Sequence, residues 1–249
     1  MSSSPSQPGW SLSLYPTAAE ASGCFVSLRQ PERSSVPRGA ARDPARAAQE
    51  AGRRAGKRLR LYCAANRLTR LGTLTYAGEG CHDPRQVRAD LGVFFRALRA
   101  GLGGEPLPYV WVPEWHKTGH GLHAHFAAGR YVRRSLIDSA WGHGFVHIKS
   151  IGGLPVGSGR VEAARKAAGY LSKYVTKTFT DPAARVMDLH RYDVAQGFQP
   201  PVIRLFGQSP DAVLDQASDL MGSRPAWLWS SAQAERWDAP PAISARWAG

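Results

Sequence analysis

The sequence is short of the features that would place the protein in a membrane, in an oxidising compartment or among ATP-driven motors. It has no apolar run of roughly 18 residues, the length that a membrane-spanning helix needs. Its first residues lack the basic segment and apolar block of a secretory signal. The three cysteines, Cys24, Cys63 and Cys81, match neither a disulfide framework nor a zinc ribbon. We therefore expect a cytoplasmic protein with reduced thiols and no membrane partner.

Two further absences narrow the class of protein. The glycine-rich stretch GGLPVGSG at 152–159 lacks the Gly-Lys-Ser/Thr ending of a P-loop, so any helicase would be a separate protein. Acidic residues are also scarce, because the 249 residues include 32 Lys and Arg against 19 Asp and Glu, a formal net charge of +13. An excess of this size favours a polyanionic partner, most often nucleic acid. The alternative is charge spread over the surface for solubility alone.

Composition divides the chain into three predicted regions. Residues 1–57 are rich in Ser, Pro, Ala and Arg without a sustained apolar period, which predicts a disordered basic N-terminal arm. Residues 58–200 alternate strand-like and helix-like patterns, and we expect them to form the folded domain. Residues 201–249, rich in Pro and Trp, are predicted to be an irregular C-terminal extension.

Within the folded region the first elements have clear local signals. The stretch RLGTLTYAG at 70–78 alternates apolar and polar side chains, which predicts a strand. A helix should follow, because Asp83 is a suitable N-cap, Pro84 suits the first helical position and Gln86 completes a capping-box pattern. Apolar residues then recur at helical spacing as far as Gly101, a suitable stop.

Later patterns predict a hairpin, a helix, a strand and a last helix. PYVWVPEWH at 108–116 and LHAHFAAG at 122–129 are strand-like and are joined by the glycine turn KTGHG. A short helix around 135–141 precedes a strand, FVHIKSI, at 145–151. The last helix is predicted over about 161–178.

The last helix has two unlike sides. Its aliphatic stripe consists of Val161, Ala164, Ala168, Leu171 and Val175. Its other side carries Lys166, Tyr170, Lys173, Tyr174 and Lys177. Tyr170 and Tyr174 are one turn apart and therefore neighbours. Two phenols among ammonium groups form a nucleophile pair in a field that favours phenolate and binds phosphate. The alternative is an amphipathic helix whose tyrosines cover the edge of the core.

The hairpin offers candidate metal ligands. His123 and His125 would share one face of a strand, and Glu114, nine residues before His123, can fold back beside them across the turn. His116 and His120 are nearer in sequence, but we expect His120 in the turn itself. Two imidazoles and one carboxylate leave open positions, which suits Mn²⁺ or Mg²⁺ in a nuclease better than a closed zinc site. Taken alone, a His-x-His pair is more often a pair of core histidines.

Three stretches together resemble the motifs of rolling-circle replication initiators in the HUH endonuclease superfamily. LGTLTY at 71–76 is similar to the first motif, and His123-Ala124-His125 is similar to the histidine–hydrophobe–histidine motif. GYLSKYVTK carries the tyrosine–bulky–any–lysine motif twice, from Tyr170 and from Tyr174. The doubled tyrosine resembles the two-tyrosine class of small coliphage and actinobacterial plasmid initiators. The resemblance covers about residues 68–200.

The resemblance implies an α/β (α+β) fold, with a central antiparallel sheet and flanking helices, over residues 58–200. It implies a metal-dependent, site-specific DNA endonuclease and strand transferase that acts on a single-stranded or cruciform origin. One tyrosine would form a 5′-phosphotyrosyl link and free a 3′-OH primer, and the displaced strand would later be rejoined. The partners implied are single-stranded DNA, origin DNA, and a host helicase and polymerase.

The resemblance also assigns roles to individual residues. Tyr170 and Tyr174 would be the nucleophiles, with Lys173 and Lys177 stabilising phosphate charge. Glu114, His123 and His125 would hold the Mn²⁺ or Mg²⁺. Two alternatives stay open: a two-tyrosine transposase of the same superfamily, with a nearly identical site, and a non-catalytic basic DNA-binding regulator.

Overall fold

The computed structural model describes residues 7–27, 37, 40–149, 159–180 and 190–248. The chain forms two compact units, a central unit (Ala41–Gln199) and a terminal unit built from the two ends of the chain (Met1–Ala40 with Pro200–Gly249). Each unit holds a five-stranded sheet. The mixture of helices with antiparallel sheets confirms the expected α+β class. None of the described helices has the length and apolar character needed to cross a bilayer.

The described helices and strands have the following bounds. In chain order they are β1 (Gly9–Tyr15), β2 (Glu20–Val26), α1 (Pro44–Ala65), β3 (Arg70–Tyr76), α2 (Pro84–Gly101), β4 (Tyr109–Trp115), β5 (Leu122–Ala128), α3 (Arg134–Trp141), β6 (Gly144–Lys149), α4 (Arg160–Thr180), β7 (Asp193–Val194), β8 (Ile203–Gly207), α5 (Pro210–Met221), β9 (Trp227–Ser230) and β10 (Ala242–Arg246). Single 3-10 turns occupy Pro16–Ala18 and Ser231–Gln233.

The central unit has helices on both faces of its sheet, whose strand order is β6-β3-β5-β4-β7. All of its strand pairs are antiparallel. Because side chains alternate between the faces of a strand, two separate apolar cores form. Phe126 of β5 packs with Phe94 and Phe95 of α2 on one face. Ala127 of the same strand packs with α1 and α4 on the other.

The local predictions for the central unit are largely confirmed. Strands β3, β4 and β5 and helices α2, α3 and α4 lie where the patterns placed them. Asp83 caps α2 by accepting the backbone N–H of Arg85 at 2.8 Å. The capping box is wrong, because the Gln86 amide donates instead to the Asp90 carboxylate at 2.8 Å. Asp90 is buried and also accepts the Tyr76 hydroxyl, so its charge needs these donors.

Two expected segments reach beyond the described residues. The strand expected at 145–151 is described as far as Lys149, and most of the glycine-rich loop at 152–159 lies outside the described residues. The helix expected over 161–178 is observed as Arg160–Thr180.

The terminal unit differs from the expectation for both ends of the chain. Residues 1–57 were expected to be disordered, yet they contain β1, β2 and the start of α1. Residues 201–249 were expected to be irregular, yet they contain β8, α5, β9 and β10. Leu12 and Leu14 of β1 are fully buried, but the partner strand β8 is almost 190 residues away. Serines between the apolar residues of β1 hid a strand whose pairing is entirely long-range.

Candidate active site

The register of the central sheet brings the predicted ligands to one face. In the β4–β5 hairpin, Glu114 lies directly opposite His123, and His125 lies opposite Thr73 of β3. Residues directly opposite each other in an antiparallel pair point to the same side. The turn depends on Gly121, whose φ of 74° is left-handed and whose added Cβ would meet the Cys81 carbonyl oxygen at 2.4 Å.

Glu114, His123 and His125 form a compact group of three donor atoms. The two Nε2 atoms lie 3.0 Å apart, and each lies 3.1 Å from Oε2 of Glu114. Ligand bonds of about 2.1 Å at right angles place neighbouring ligand atoms about 3 Å apart. The group can therefore hold one metal ion and leave other coordination positions open. Since no metal identity follows from this geometry, the roles of these residues as ligands stay predictions.

The protonation states of the group suit a cation. Burial lowers the pKa of His125 to about 4 and also lowers the pKa of His123, so both imidazoles are neutral near pH 7. Burial alone would raise the pKa of Glu114, but hydrogen bonds from Lys177, His125 and His123 outweigh it and lower that pKa. Nδ1 of His125 lies 3.0 Å from the Thr73 hydroxyl. If that nitrogen donates to Thr73, the lone pair of Nε2 is free for a metal.

The other histidines of the hairpin lie outside the group. Nδ1 of His116 lies 2.7 Å from the Thr118 hydroxyl, and its ring centroid is 5.3 Å from that of His123. Nε2 of His120 lies 2.9 Å from the Tyr76 carbonyl oxygen. Among the described residues, Glu114 is thus the side chain that completes the histidine pair.

Helix α4 places both predicted tyrosines against the same imidazole. Its aliphatic stripe is buried beside α1, as predicted. The Tyr174 ring stacks on His125 with centroids 3.9 Å apart, and Tyr170 meets His125 edge-on at 6.0 Å. The Tyr174 hydroxyl donates to the Tyr170 hydroxyl at 2.8 Å. Burial, with a contribution from Tyr170, raises the pKa of Tyr174, so its phenol is protonated at neutral pH.

The two predicted lysines differ in their positions. Lys177 lies one turn beyond Tyr174, and its Nζ donates to Oε1 of Glu114 at 2.7 Å. It therefore contacts the carboxylate of the metal-binding group. Lys173 is exposed on α4, and no contact between it and that group is found in the described part of the chain.

Sequence reasoning missed two residues of the site, Thr73 and Lys149. Thr73 reaches His125, and Nζ of Lys149 lies 4.8 Å from the centroid of the Tyr170 ring. Both depend on how β3 pairs with β5 and β6, a register that the local sequence does not specify. The alternation of FVHIK does place Lys149 on the same face as His147, which was the available signal.

Two unusual residues in these strands have local explanations. A Cβ at Gly72 would lie 2.3 Å from the Phe126 ring, so the glycine lets this core side chain lie across β3. Pro113 pairs with Ala124 in β5. On its other side β4 pairs with β7 at Val110 and Trp111. The proline thus occupies a strand edge, where its missing donor is tolerated.

The segment that holds this geometry has a known counterpart. Residues 69–179 match the family model of the replication-associated protein ORF2. The matched segment runs from β3 through α4 and contains the metal-binding group and both tyrosines. It covers less than half of the chain and supports a replication initiator. No curated protein and no solved structure matches the chain significantly.

Proposed function

We propose that the protein is a rolling-circle replication initiator of the HUH superfamily, two-tyrosine class, which nicks DNA by tyrosine transesterification. The observation that carries the proposal is the contact of Tyr170 and Tyr174 with His125, the imidazole that shares a group with His123 and Glu114. These residues all lie inside the segment that matches the replication-associated family.

The proposed reaction exchanges one phosphodiester for another. The Oη atom of one tyrosine forms a bond to the scissile phosphorus, and the bond from phosphorus to O3′ breaks. The phenol gives up its proton and the leaving O3′ gains one, which yields a free 3′-OH and a 5′-phosphotyrosyl link. Mn²⁺ or Mg²⁺ held by Glu114, His123 and His125 would withdraw charge from the phosphate when bound. No ATP is required, because the covalent link retains the bond energy.

The pairing of the tyrosines suits two successive transfers. Tyr170 and Tyr174 share a hydrogen bond, so a phosphate linked to one phenol lies within reach of the other. The second tyrosine can cut the regenerated origin while the displaced strand is rejoined. We assign Lys177 to charge balance on Glu114 and exposed Lys173 to the DNA phosphates.

The proposed partners follow from charge and from the family. The excess of 13 positive charges suits a single-stranded or origin DNA substrate, and the matched family is replication-associated. Because the sequence has no P-loop ending, unwinding and synthesis are assigned to a host helicase and polymerase in the cytoplasm.

Covalent capture tests the proposal. Labelled single-stranded oligonucleotides that tile the replicon encoding the protein would be incubated with Mn²⁺ and resolved on a denaturing gel. We expect one oligonucleotide to give a covalent adduct with the wild-type protein. The Tyr170→Phe/Tyr174→Phe double variant should bind that strand and give no adduct. Tyr131→Phe, at a tyrosine that is 64% exposed and outside α4, is the matched control. An adduct formed by the double variant would refute the proposal.

A further inference from the structure

Strand β6 extends the face of the metal-binding group to the edge of the sheet. It is the first strand of the central sheet and pairs with β3. The register sets Phe145 opposite Thr75, whose partner in β5 is His123. It likewise sets His147 opposite Thr73, whose partner in β5 is His125. The side chains of β6 thus lie two strands, or about 10 Å, from the histidines on the same face.

The side chains of this face of β6 have a mixed character. Phe145, His147 and Lys149 alternate along the strand and are all exposed. Phe145 is 70% exposed, the largest fraction among the exposed large hydrophobic residues of the described chain. A single exposed apolar residue is ordinary, but this one shares its row with a lysine and an imidazole. An aromatic ring beside cations is the arrangement that binds single-stranded nucleic acid by stacking on bases and pairing with phosphates.

A cavity joins this row to the first tyrosine. It has a volume of about 200 Å³ and is lined by Leu71, Gly72, Thr73, His147, Lys149 and Tyr170. Lys149 lies over the Tyr170 ring at its rim, and Thr73, which bonds His125, forms part of its wall. The cavity has room for one nucleotide moiety, a base or a sugar-phosphate, immediately beside a candidate nucleophile.

We infer that β6 binds the nucleotides next to the cleaved phosphodiester, with one base stacked on Phe145 and the adjoining phosphate bound by Lys149. The occupant is single-stranded DNA, because the face of a base is accessible for stacking only when it is unstacked from its neighbours. The positive charge of Lys149 complements the phosphate, and the row is continuous with the proposed site of cleavage. The inference rests on the proposed function for its choice of substrate.

A coupling experiment tests the inference without any cleavage. Dissociation constants would be measured in EDTA for the strand that forms the adduct and for versions with an abasic site at each position. Phe145→Ala should weaken binding of the intact strand about tenfold, and Phe145→Trp should retain affinity. At one position the abasic site should weaken wild-type binding about tenfold and hardly affect Phe145→Ala. Lys149→Ala should lower the slope of log affinity against log salt by about 0.7.

The controls separate stacking from damage to the fold. Val93→Ala removes an apolar side chain that is 52% exposed on α2, a helix of the opposite face, and should leave affinity unchanged. Wild-type affinity of Phe145→Ala, or equal losses for this variant at every abasic position, would overturn the inference. Base-specific coupling in a wild-type protein that forms no adduct would support it and refute the proposed nicking reaction. The two failures are therefore distinguishable.

Discussion

The two units of the chain share an architecture and differ in charge. Each has a five-stranded antiparallel sheet, yet residues 41–199 carry 25 Lys and Arg against 12 Asp and Glu, while the terminal unit carries seven of each. The central unit therefore accounts for the whole excess of 13 positive charges. Whole-chain composition indicates a polyanionic partner, and its distribution assigns that partner to the unit that holds the histidines and tyrosines.

The use of aromatic residues also differs between the units. The central unit buries Phe94, Phe126 and Trp141 in one core, and its exposed Phe145 lies on the face of the candidate site. The terminal unit leaves Trp227 and Trp237 each 43% exposed without a surplus of basic residues. An exposed aromatic is thus a candidate for base stacking only where cations accompany it. The predictions below test this division of roles between the units.

The largest expected effect comes from the metal-binding group. His123→Ala/His125→Ala should slow adduct formation roughly 100-fold or more at saturating DNA, because these side chains would hold the ion that polarises the phosphate. The rate would be measured on denaturing gels over a titration of Mn²⁺. Cys24→Ala, at an exposed cysteine of the terminal unit, should leave the rate unchanged. Cleavage at the wild-type rate in the double variant would exclude a metal role for these histidines.

The contrast between the units also shows what the sequence could predict. Glu114, His123 and His125 come from one hairpin, so their proximity follows from the local turn and strand pattern. Tyr170 and Tyr174 follow from the period of a single helix. Thr73 and Lys149, by contrast, reach the site through strand pairings that no local pattern encodes. The terminal unit was missed for the same reason, since β1 pairs with a strand from the far end of the chain.

Close packing at glycine should affect both units, and the terminal unit more strongly. A Cβ at Gly23 would lie 2.2 Å from the Ser11 backbone carbonyl oxygen, whereas one at Gly72 would meet the Phe126 side chain. Because backbone yields less than a side chain, Gly23→Ala should cost about 3 kcal/mol and Gly72→Ala about 1–2 kcal/mol of unfolding free energy. Urea unfolding measures both. Gly169→Ala, in open space on α4, should instead stabilise by about 0.5–1 kcal/mol, and equal losses at all three sites would contradict this ranking.

Charge removal should distinguish the units by a smaller margin. If Lys173 contacts a phosphate, Lys173→Ala should weaken binding of single-stranded DNA about three- to fivefold and lower the salt slope by about 0.7. Arg224→Ala removes a charge from the terminal unit, at a side chain that is 88% exposed, and should change neither quantity. Fluorescence anisotropy from 50 to 300 mM salt (on the order of the range in which such slopes are resolved) measures both. Equal effects of the two substitutions would show that DNA contacts both units.

The smallest effects concern helix caps, and they test whether the units are independently stable. Asp83 caps α2 in the central unit, and Ser209 caps α5 in the terminal unit by accepting the Ala212 N–H at 3.1 Å. Replacing either by alanine should cost about 1 kcal/mol. Asp83→Asn should recover most of its loss, because the amide oxygen can still accept the N–H although the charge at the helix N-terminus is gone. Amide hydrogen exchange should show lower protection only in the unit that lost its cap. If Asp83→Ala lowers protection equally in α5, the two units unfold together, and the division of charge between them does not extend to stability.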